Sequence, residues 1–375
     1  MVGAVQSVIH VVHVVTRTNI GGVSSYLKNL INTTATQEIR HTVVRGTSGT
    51  DEGDYFRVNR LPASIIDVPA LQRSINPVRE ISSLVTLVGI LRQLKPDIVH
   101  THMAKAGVLG RLAAMLCRVP IRIHTFHGHL LMGYFRPTFV RIIIGVEKLL
   151  QRVTTWTTVN GDAVRKDLIA RGVLTEEQST NIPPGLSASP THSRLFARES
   201  LNLPKSGQIV GFVGRLAQIK RPDRVLTLAR ALPETLFIIC GDGPLAESLQ
   251  SQATHLTNVC FMGWVADPSL VYAAIDVLIL TSDNEAVPTV LIEAALAGVP
   301  CVATDVGSVS EIVEHGDTGF LATSETDLIT QTAELLNSPN LRAAFGSRAS
   351  TRARQHFSLE IFARRHLDLY RMLHQ

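Results

Sequence analysis

Asp283-Asn284-Glu285-Ala286-Val287-Pro288-Thr289-Val290-Leu291-Ile292-Glu293-Ala294-Ala295-Leu296-Ala297-Gly298 is the stretch on which the reading of this chain turns. The apolar run Val277 to Leu280 before it has the length and composition of a buried strand. Thr281 to Glu285 is polar and turn-like. Pro288 suits the first position of a helix, where its missing N–H costs nothing. The N–H groups of Thr289, Val290 and Leu291 are then expected to be free and to favour an anion beyond the end of the strand. Glu285 falls in the loop and Glu293 in the helix, so two carboxylates flank that anion site. Amide donors for phosphate and carboxylates for hydroxyls suit a sugar diphosphate, with Ala286, Val287, Pro288, Thr289 and Val290 lining it. The bland reading is two solvated glutamates on an ordinary helix.

Working outward, short apolar runs alternate with helical patterns along all 375 residues, the mark of parallel α/β architecture. Val8–Thr16, Asp97–His100, Ile121–Thr125 and Thr155–Asn160 form one series of expected strands. Gln208–Val213, Phe237–Cys240, Val259–Phe261, Val277–Leu280 and Val299–Ala303 form a second. Between them, Asn181 to Pro190 holds three Pro, one Gly and two Ser, a hinge-like linker. The expected division is residues 1–185 and 186–355, two doubly wound Rossmann-like domains. Residues 40–80 yield no clear reading. Ligands of such sheets collect beyond the carboxyl ends of the strands, and nearly every chemistry-bearing residue falls just after an expected strand.

Gly214-Arg215-Leu216 and Lys220-Arg221-Pro222 follow the strand Gln208–Val213. Arg215 and Lys220 suit a diphosphate clamp, the guanidinium bidentate and the ammonium as a point charge. Gly241-Asp242-Gly243-Pro244 and Phe261-Met262-Gly263-Trp264 follow the next two strands. Gly243, Gly263 and Trp264 are candidate nucleotide contacts, against a steric turn and a core tryptophan. Gly21-Gly22 after the first strand would let a ligand approach the backbone, against a plain tight turn. It is not Gly-x-Gly-x-x-Gly and lacks the acid about 20 residues on, which argues against a nicotinamide enzyme.

His100-x-His102 ends one expected strand, and His124, His127 and His129 follow the next. Paired His-x-His units suggest a metal-dependent hydrolase. Against it, Asp97 opens its strand and no Asp or Glu follows until Glu147. The stretch Leu130–Arg152 interleaves apolar residues with Arg136, Arg141, Lys148 and Arg152, which suits a membrane interface or a helix packed on the sheet with a solvated face.

The net charge is +5 and unevenly placed. Residues 1–185 hold 21 Lys/Arg against 12 Asp/Glu, while residues 186–375 hold 15 against 19. With no nucleic-acid motif and few aromatics, the basic half points to phosphates or anionic lipid rather than nucleic acid. Cys117, Cys240, Cys260 and Cys301 sit among apolar residues without a Cys-x-x-Cys pair, which reads as free thiols in a reducing compartment. His10 and His13 interrupt Val8 to Val15, which argues against a signal peptide. A cytoplasmic location, peripheral on the inner membrane face, is expected.

The segment Asp283–Gly298 resembles the Glu-x7-Glu motif of retaining GT-B glycosyltransferases of family 4. Gly298-Val299-Pro300-Cys301-Val302-Ala303-Thr304-Asp305-Val306-Gly307, Glu311-Ile312-Val313 and Gly316-Asp317-Thr318-Gly319-Phe320 continue the resemblance. One departure is Ala286, where the family commonly has Gly. The resemblance implies that Glu285 binds the donor sugar and Glu293 the ribose. It also implies that Arg215 and Lys220 hold the diphosphate, with Gly214 in their loop, and that His127 contacts the donor sugar or its phosphate. His102 and Lys105 would line the acceptor side. It implies two domains facing across a cleft, with the last helix, His356 to His374, crossing back to the first. The implied activity is metal-independent, retaining transfer from a nucleotide-diphosphate sugar, UDP-sugar favoured, in surface polysaccharide biosynthesis. The acceptor would be a saccharide, carried on polyprenyl diphosphate, and no cofactor is called for beyond that co-substrate. A sugar-nucleotide epimerase of GT-B fold, the metal hydrolase and a non-catalytic sugar-nucleotide-binding subunit remain the rival readings.

Overall fold

The computed structural model describes residues 8–19, 21–47, 53–72, 74, 76–128, 137–188 and 192–375. The chain forms two compact units, Met1–Gly185 with Leu359–Gln375, and Leu186–Ser358. Each is a parallel sheet covered by helices.

The first unit carries β1 (Ile9–Val15), β2 (Ile39–Arg45), β3 (Ala63–Asp67), β4 (Ile98–His102), β5 (Ile121–Phe126), β6 (Trp156–Val159) and β7 (Ser179–Asn181). Their spatial order is β3-β2-β1-β4-β5-β6-β7, so the winding reverses between β1 and β4. β1 is buried along its whole length, as a β-branched run covered on both faces must be. The C-terminal helix Leu359–His374 packs in this unit, burying Phe362, His366, Leu369 and Tyr370. Tyr26 on the helix Gly22–Thr34 meets His366 at 3.0 Å, and Tyr370 meets His100 of β4 at 2.8 Å.

The second unit carries β8 (Ile209–Val213), β9 (Leu236–Cys240), β10 (Val259–Gly263), β11 (Val277–Leu280), β12 (Cys301–Thr304) and β13 (Gly319–Ala322). Their order is β10-β9-β8-β11-β12-β13, with the reversal between β8 and β11. A crevice opens where loops diverge at such a reversal, so the ends of β8 and β11 are the places to search.

The expected strands are all present, with ends displaced by at most two residues. β2, β3, β7 and β13 were not expected. β2 mixes His41, Arg40 and Arg45 into its apolar pattern, and β3 is an edge strand with most side chains outward. The four cysteines are free, Cys240 and Cys301 buried and Cys117 and Cys260 half-buried.

Candidate functional site

In the second unit the loops beyond β8, β9, β10 and β11 are joined by backbone hydrogen bonds into one rim. Gly214 N–H donates to Cys240 O at 2.9 Å, Leu216 N–H to Asp242 O at 2.9 Å and Gly241 N–H to Gly263 O at 2.7 Å. The glycines make this closeness feasible. Gly241 has φ +138°, and a Cβ there would lie 2.0 Å from Gly214 O. The loops beyond β8 and β11 are tied likewise. Asp283 N–H donates to Ile219 O at 2.9 Å, and the Thr281 hydroxyl donates to Lys220 O at 2.9 Å. Arg224 adds an ion pair to Asp283 at 2.9 Å.

This stitching brings Lys220 to Glu285. The Lys220 Nζ and the Ser282 hydroxyl both donate to Glu285 Oε1, each at 2.6 Å. Glu285 is 8% exposed, and its Oε2 has no hydrogen-bond partner among the described residues. A pinned carboxylate with one open oxygen can accept from a ligand hydroxyl without reorganising. Behind it, Gly307 (φ +56°) lies so close that a Cβ would come within 1.8 Å of Glu285 O. Ser308 N–H donates to Ala286 O at 3.2 Å, fixing the loop from below.

The helix after this loop runs Thr289–Leu296, with Pro288 as its N-cap rather than its first residue. Pro288 has ψ 110°, outside helical geometry, and its carbonyl accepts the Leu291 N–H at 3.1 Å. Leu291 therefore does not offer the free donor expected of it. The N–H groups of Thr289 and Val290 have no partner among the described residues, so the helix start keeps two donors. Val287 is buried and packs into the core beneath the loop.

Glu293 sits one turn further in, where Tyr272 O–H donates to its Oε2 at 2.5 Å. Burial raises the Glu293 carboxyl above its ordinary range, and the tyrosine's hydrogen bond opposes that rise. Arg215 is exposed and makes no side-chain hydrogen bond or ion pair among the described residues. Trp264 is 69% exposed, which removes the core-tryptophan reading, and a Cβ on Gly263 would meet nothing within 4 Å. A Cβ on Gly243 would lie 2.5 Å from Leu216 O, so this glycine is explained by packing whether or not a nucleotide lies beside it.

In the first unit, Gly21 and Gly22 open the helix Gly22–Thr34. A Cβ on Gly22 would meet nothing within 4 Å, and one on Gly21 only the Asn19 amide nitrogen at 3.7 Å. Internal crowding does not demand either glycine. Lys105 is engaged with Glu80 at 2.6 Å and with the Ser74 carbonyl.

The histidines separate into two faces of the sheet. His124 points to one face, where Thr101 Oγ1 lies 2.9 Å from its Nδ1. His41, His13, His100, His102 and His127 lie on the other. There Nε2 of His13 is 3.0 Å from Nδ1 of His41, and Nδ1 of His13 is 3.1 Å from Nε2 of His102. Nδ1 of His102 is 3.0 Å from Nε2 of His127, whose Nδ1 is 3.2 Å from Nδ2 of Asn160. Burial holds every one of these rings below the ordinary histidine range, His41 at about 4 and His127 at about 3. His13, His100 and His102 come near enough together to suggest a cation site. Yet both nitrogens of each ring already have protein partners, those of His100 being Tyr370 at 2.8 Å and Thr125 at 2.6 Å. His129 lies outside the described residues.

Ser282, Tyr272, Gly307, His13, His41 and Asn160 were not named as site residues from the sequence. The histidines had a usable signal, their recurrence at alternate positions on neighbouring strands. Ser282 had one too, three residues before Glu285.

A family model described as Glycosyl transferases group 1 matches residues 193–352, and one described as Glycosyltransferase Family 4 matches residues 20–189. UDP-Gal:alpha-D-GlcNAc-diphosphoundecaprenol alpha-1,3-galactosyltransferase of Escherichia coli is 29% identical over 268 residues, 68% of this chain and 69% of that protein. The capsular polysaccharide biosynthesis glycosyltransferase CapM of Staphylococcus aureus is 24% identical over 314 residues, 79% of this chain and 82% of that one. The crystal structure of Anabaena Alr3699/HepE in complex with UDP and glucose matches with a TM-score of 0.82 at 21% identity, covering 97% of this chain and all of the other.

Proposed function

From the premise that this chain belongs to the family 4 glycosyltransferases and has their two-domain α/β GT-B fold, we propose that it moves a sugar from UDP-sugar, with retention, to a saccharide carried on polyprenyl diphosphate. The pinned Glu285, with Lys220 and Ser282 on one oxygen and the other open, carries this reading. It stands at the reversal between β8 and β11, beside a helix start with two free N–H groups. The donor class is supported by the Escherichia coli relative, which takes UDP-Gal, and by the Anabaena structure with UDP. The acceptor class is supported by that relative's diphosphoundecaprenol substrate, and a polysaccharide role by CapM.

In this proposal the diphosphate lies against the N–H groups of Thr289 and Val290, with Arg215 free to close on it. Lys220 moves its charge from Glu285 toward the β-phosphate as negative charge builds there on leaving, which is where a cation lowers the barrier most. The departing diphosphate takes the acceptor hydroxyl's proton while the new bond forms on the same face of the sugar. Glu285 Oε2 orients the sugar hydroxyls, and Glu293 receives the ribose. Gly263 and Trp264 border the base, and the open backbone at Gly21–Gly22 admits the substrate of the first unit. Two cations and a helix start do what a divalent ion would otherwise do.

Membrane contact of the first unit belongs to the same reading. The helix Pro137–Gln151 exposes Ile142, Val146 and Leu149 beside Arg141 and Lys148, and Pro77–Leu94 exposes Val78, Ile81 and Val85. No helix among the described residues is long and apolar enough to cross a membrane. An apolar stripe with basic neighbours suits the surface of an anionic bilayer.

The test is incubation with UDP-, GDP- and ADP-sugars and a polyprenyl-diphosphate saccharide, with the product's anomeric configuration read by NMR. The expected result is transfer from a UDP-sugar with retention, unaffected by chelator. Release of free sugar, epimerised donor, inversion, or loss with chelator would overturn it.

A further inference from the structure

The histidine chain has a direction that its own geometry sets. It runs across the sheet face from β2 through β1 and β4 to the ends of β5 and β6. At its inner end Thr34 Oγ1 lies 2.6 Å from Leu30 O and 3.0 Å from His41 Nε2. A carbonyl has no hydrogen, so the short contact requires that the Thr34 hydroxyl donate to Leu30. Its lone pair must then accept from His41 Nε2–H. That leaves His41 Nδ1 as an acceptor for His13 Nε2–H, and His13 Nδ1 as an acceptor for His102 Nε2–H. His102 Nδ1 in turn accepts from His127 Nε2–H, and His127 Nδ1 accepts from the Asn160 amide. Each link forces the next, because a neutral imidazole has one donor and one acceptor. An added proton anywhere would set N–H against N–H.

At the outer end the consequence falls on Asn160. Its Nδ2 faces His127, so its Oδ1 faces away, and this buried oxygen has no partner among the described residues. Asn160 is 6% exposed. An acceptor left without a partner in so buried a residue is destabilising unless a ligand or water meets it. Tyr26 from the helix Gly22–Thr34 packs edge-on against His127 at 4.7 Å between ring centres.

We propose that His41, His13 and His102 are positioning residues that lock His127 in the Nε2–H tautomer and thereby turn Asn160 Oδ1 outward as an acceptor for a sugar hydroxyl. The ligand half of this inference rests on the sugar-nucleotide reading above, while the tautomer half does not. Asn160 thus reads a hydroxyl in an orientation dictated four rings away. The chain also keeps His127 from giving up a proton, in keeping with a reaction in which the leaving diphosphate receives it.

Nitrogen-15 NMR of the unmodified full chain reads the His127 tautomer directly. The Nε2–H signature is expected, and an Nδ1–H signature overturns the proposal. Asn160→Ala removes the amide donor at the outer end, and because the direction is set at Thr34 the Nε2–H signature of His127 should persist; a change to Nδ1–H also overturns the proposal. Thr34→Val, nearly isosteric, should leave a mixture of tautomers at His127, and an unchanged signature refutes transmission along the chain. In the ligand arm, calorimetry with UDP, UDP-glucose and UDP-galactose on Asn160→Ala should show UDP affinity unchanged and affinity for at least one UDP-sugar reduced about fivefold to tenfold, one hydrogen bond's worth. Equal affinity for every UDP-sugar overturns the hydroxyl-acceptor role. Should the unmodified protein bind none of the three probes, the sugar-nucleotide reading fails while the tautomer result stands by itself.

Discussion

The two sheets solve the same folding problem and place their polar chemistry in opposite ways. In the second unit the strands are apolar and the charged groups stand in loops beyond them, Lys220 on Glu285 and Arg224 on Asp283. In the first unit polar groups run across the sheet itself, with His13, His100 and His102 fully buried among Val11, Val15 and Ile123. Charges at strand ends can exchange a protein partner for a ligand. Buried neutral rings can only hand a hydrogen-bond direction to the next ring. On the proposed reading, the second unit binds and the first orients.

The sharpest way to break this contrast is to disarm the rim. Glu285→Gln should lower turnover by about 10²–10³-fold, the scale of losing one preorganised electrostatic contact to the reacting sugar. UDP affinity should change far less, because in the proposed function the carboxylate serves the sugar and not the diphosphate. Initial rates beside calorimetric UDP binding separate the two, and equal losses in both would place Glu285 on the phosphates instead.

Next in size is Gly307→Ala. The new methyl would lie 1.8 Å from Glu285 O, and Gly307 sits at φ +56°. A loss of about 1–3 kcal/mol in stability is expected, together with reduced turnover. Gly22→Ala meets nothing within 4 Å, so its melting temperature should stay close to that of the unmodified chain. Melting curves of the pair test whether the rim glycine is structural and the first-unit glycine is kept for access.

Acid distinguishes the units without mutation. The folded-state values of His41, His127 and His366 lie at about 4, about 3 and about 4, below the ordinary histidine value. The unfolded chain therefore binds protons first. This stability is complete above about pH 6.5 and is lost as pH falls toward 4, at about 1.4 kcal/mol per pH unit for each group at most. In the second unit the carboxylates of Asp223 and Asp267 are held low, by Arg221 and by the Ser269 hydroxyl, so their contribution is lost only at lower pH. Hydrogen exchange at pH 7 and pH 5 should show protection falling in the first unit before the second. Equal loss in both would contradict the contrast.

The smallest expected effect is Tyr272→Phe. Losing its hydrogen bond to Glu293 should weaken UDP binding by about threefold to tenfold with little change in the rate at saturation. A fall in rate instead would give Tyr272 a part in the transfer itself.

The second unit was the more legible of the two in sequence, for a physical reason. Its signals are local: a strand, a loop and a helix start within Val277–Glu293, with Pro288 and Gly298 as punctuation. The one-position shift of Pro288 is a matter of cap geometry, which residue type alone does not settle. The Lys220–Glu285 contact spans 65 positions and depends on the neighbouring places of β8 and β11. In the first unit the histidines are plain to see, but their meaning lies in register. His13 pairs with His100 and Val11 with His41 only once β1 lies between β2 and β4. With β2 and β3 unread, no such register was available, and the pairing His100-x-His102 with His127-x-His129 suggested a metal instead.

The account stands on the rim's grip on a diphosphate. Its most direct test is titration calorimetry of UDP against the unmodified chain and against the double variant Arg215→Met, Lys220→Met. Two charge-assisted contacts of about 1.5–3 kcal/mol each predict a loss of affinity of at least a hundredfold. Affinity for UDP unchanged in the double variant would contradict the account.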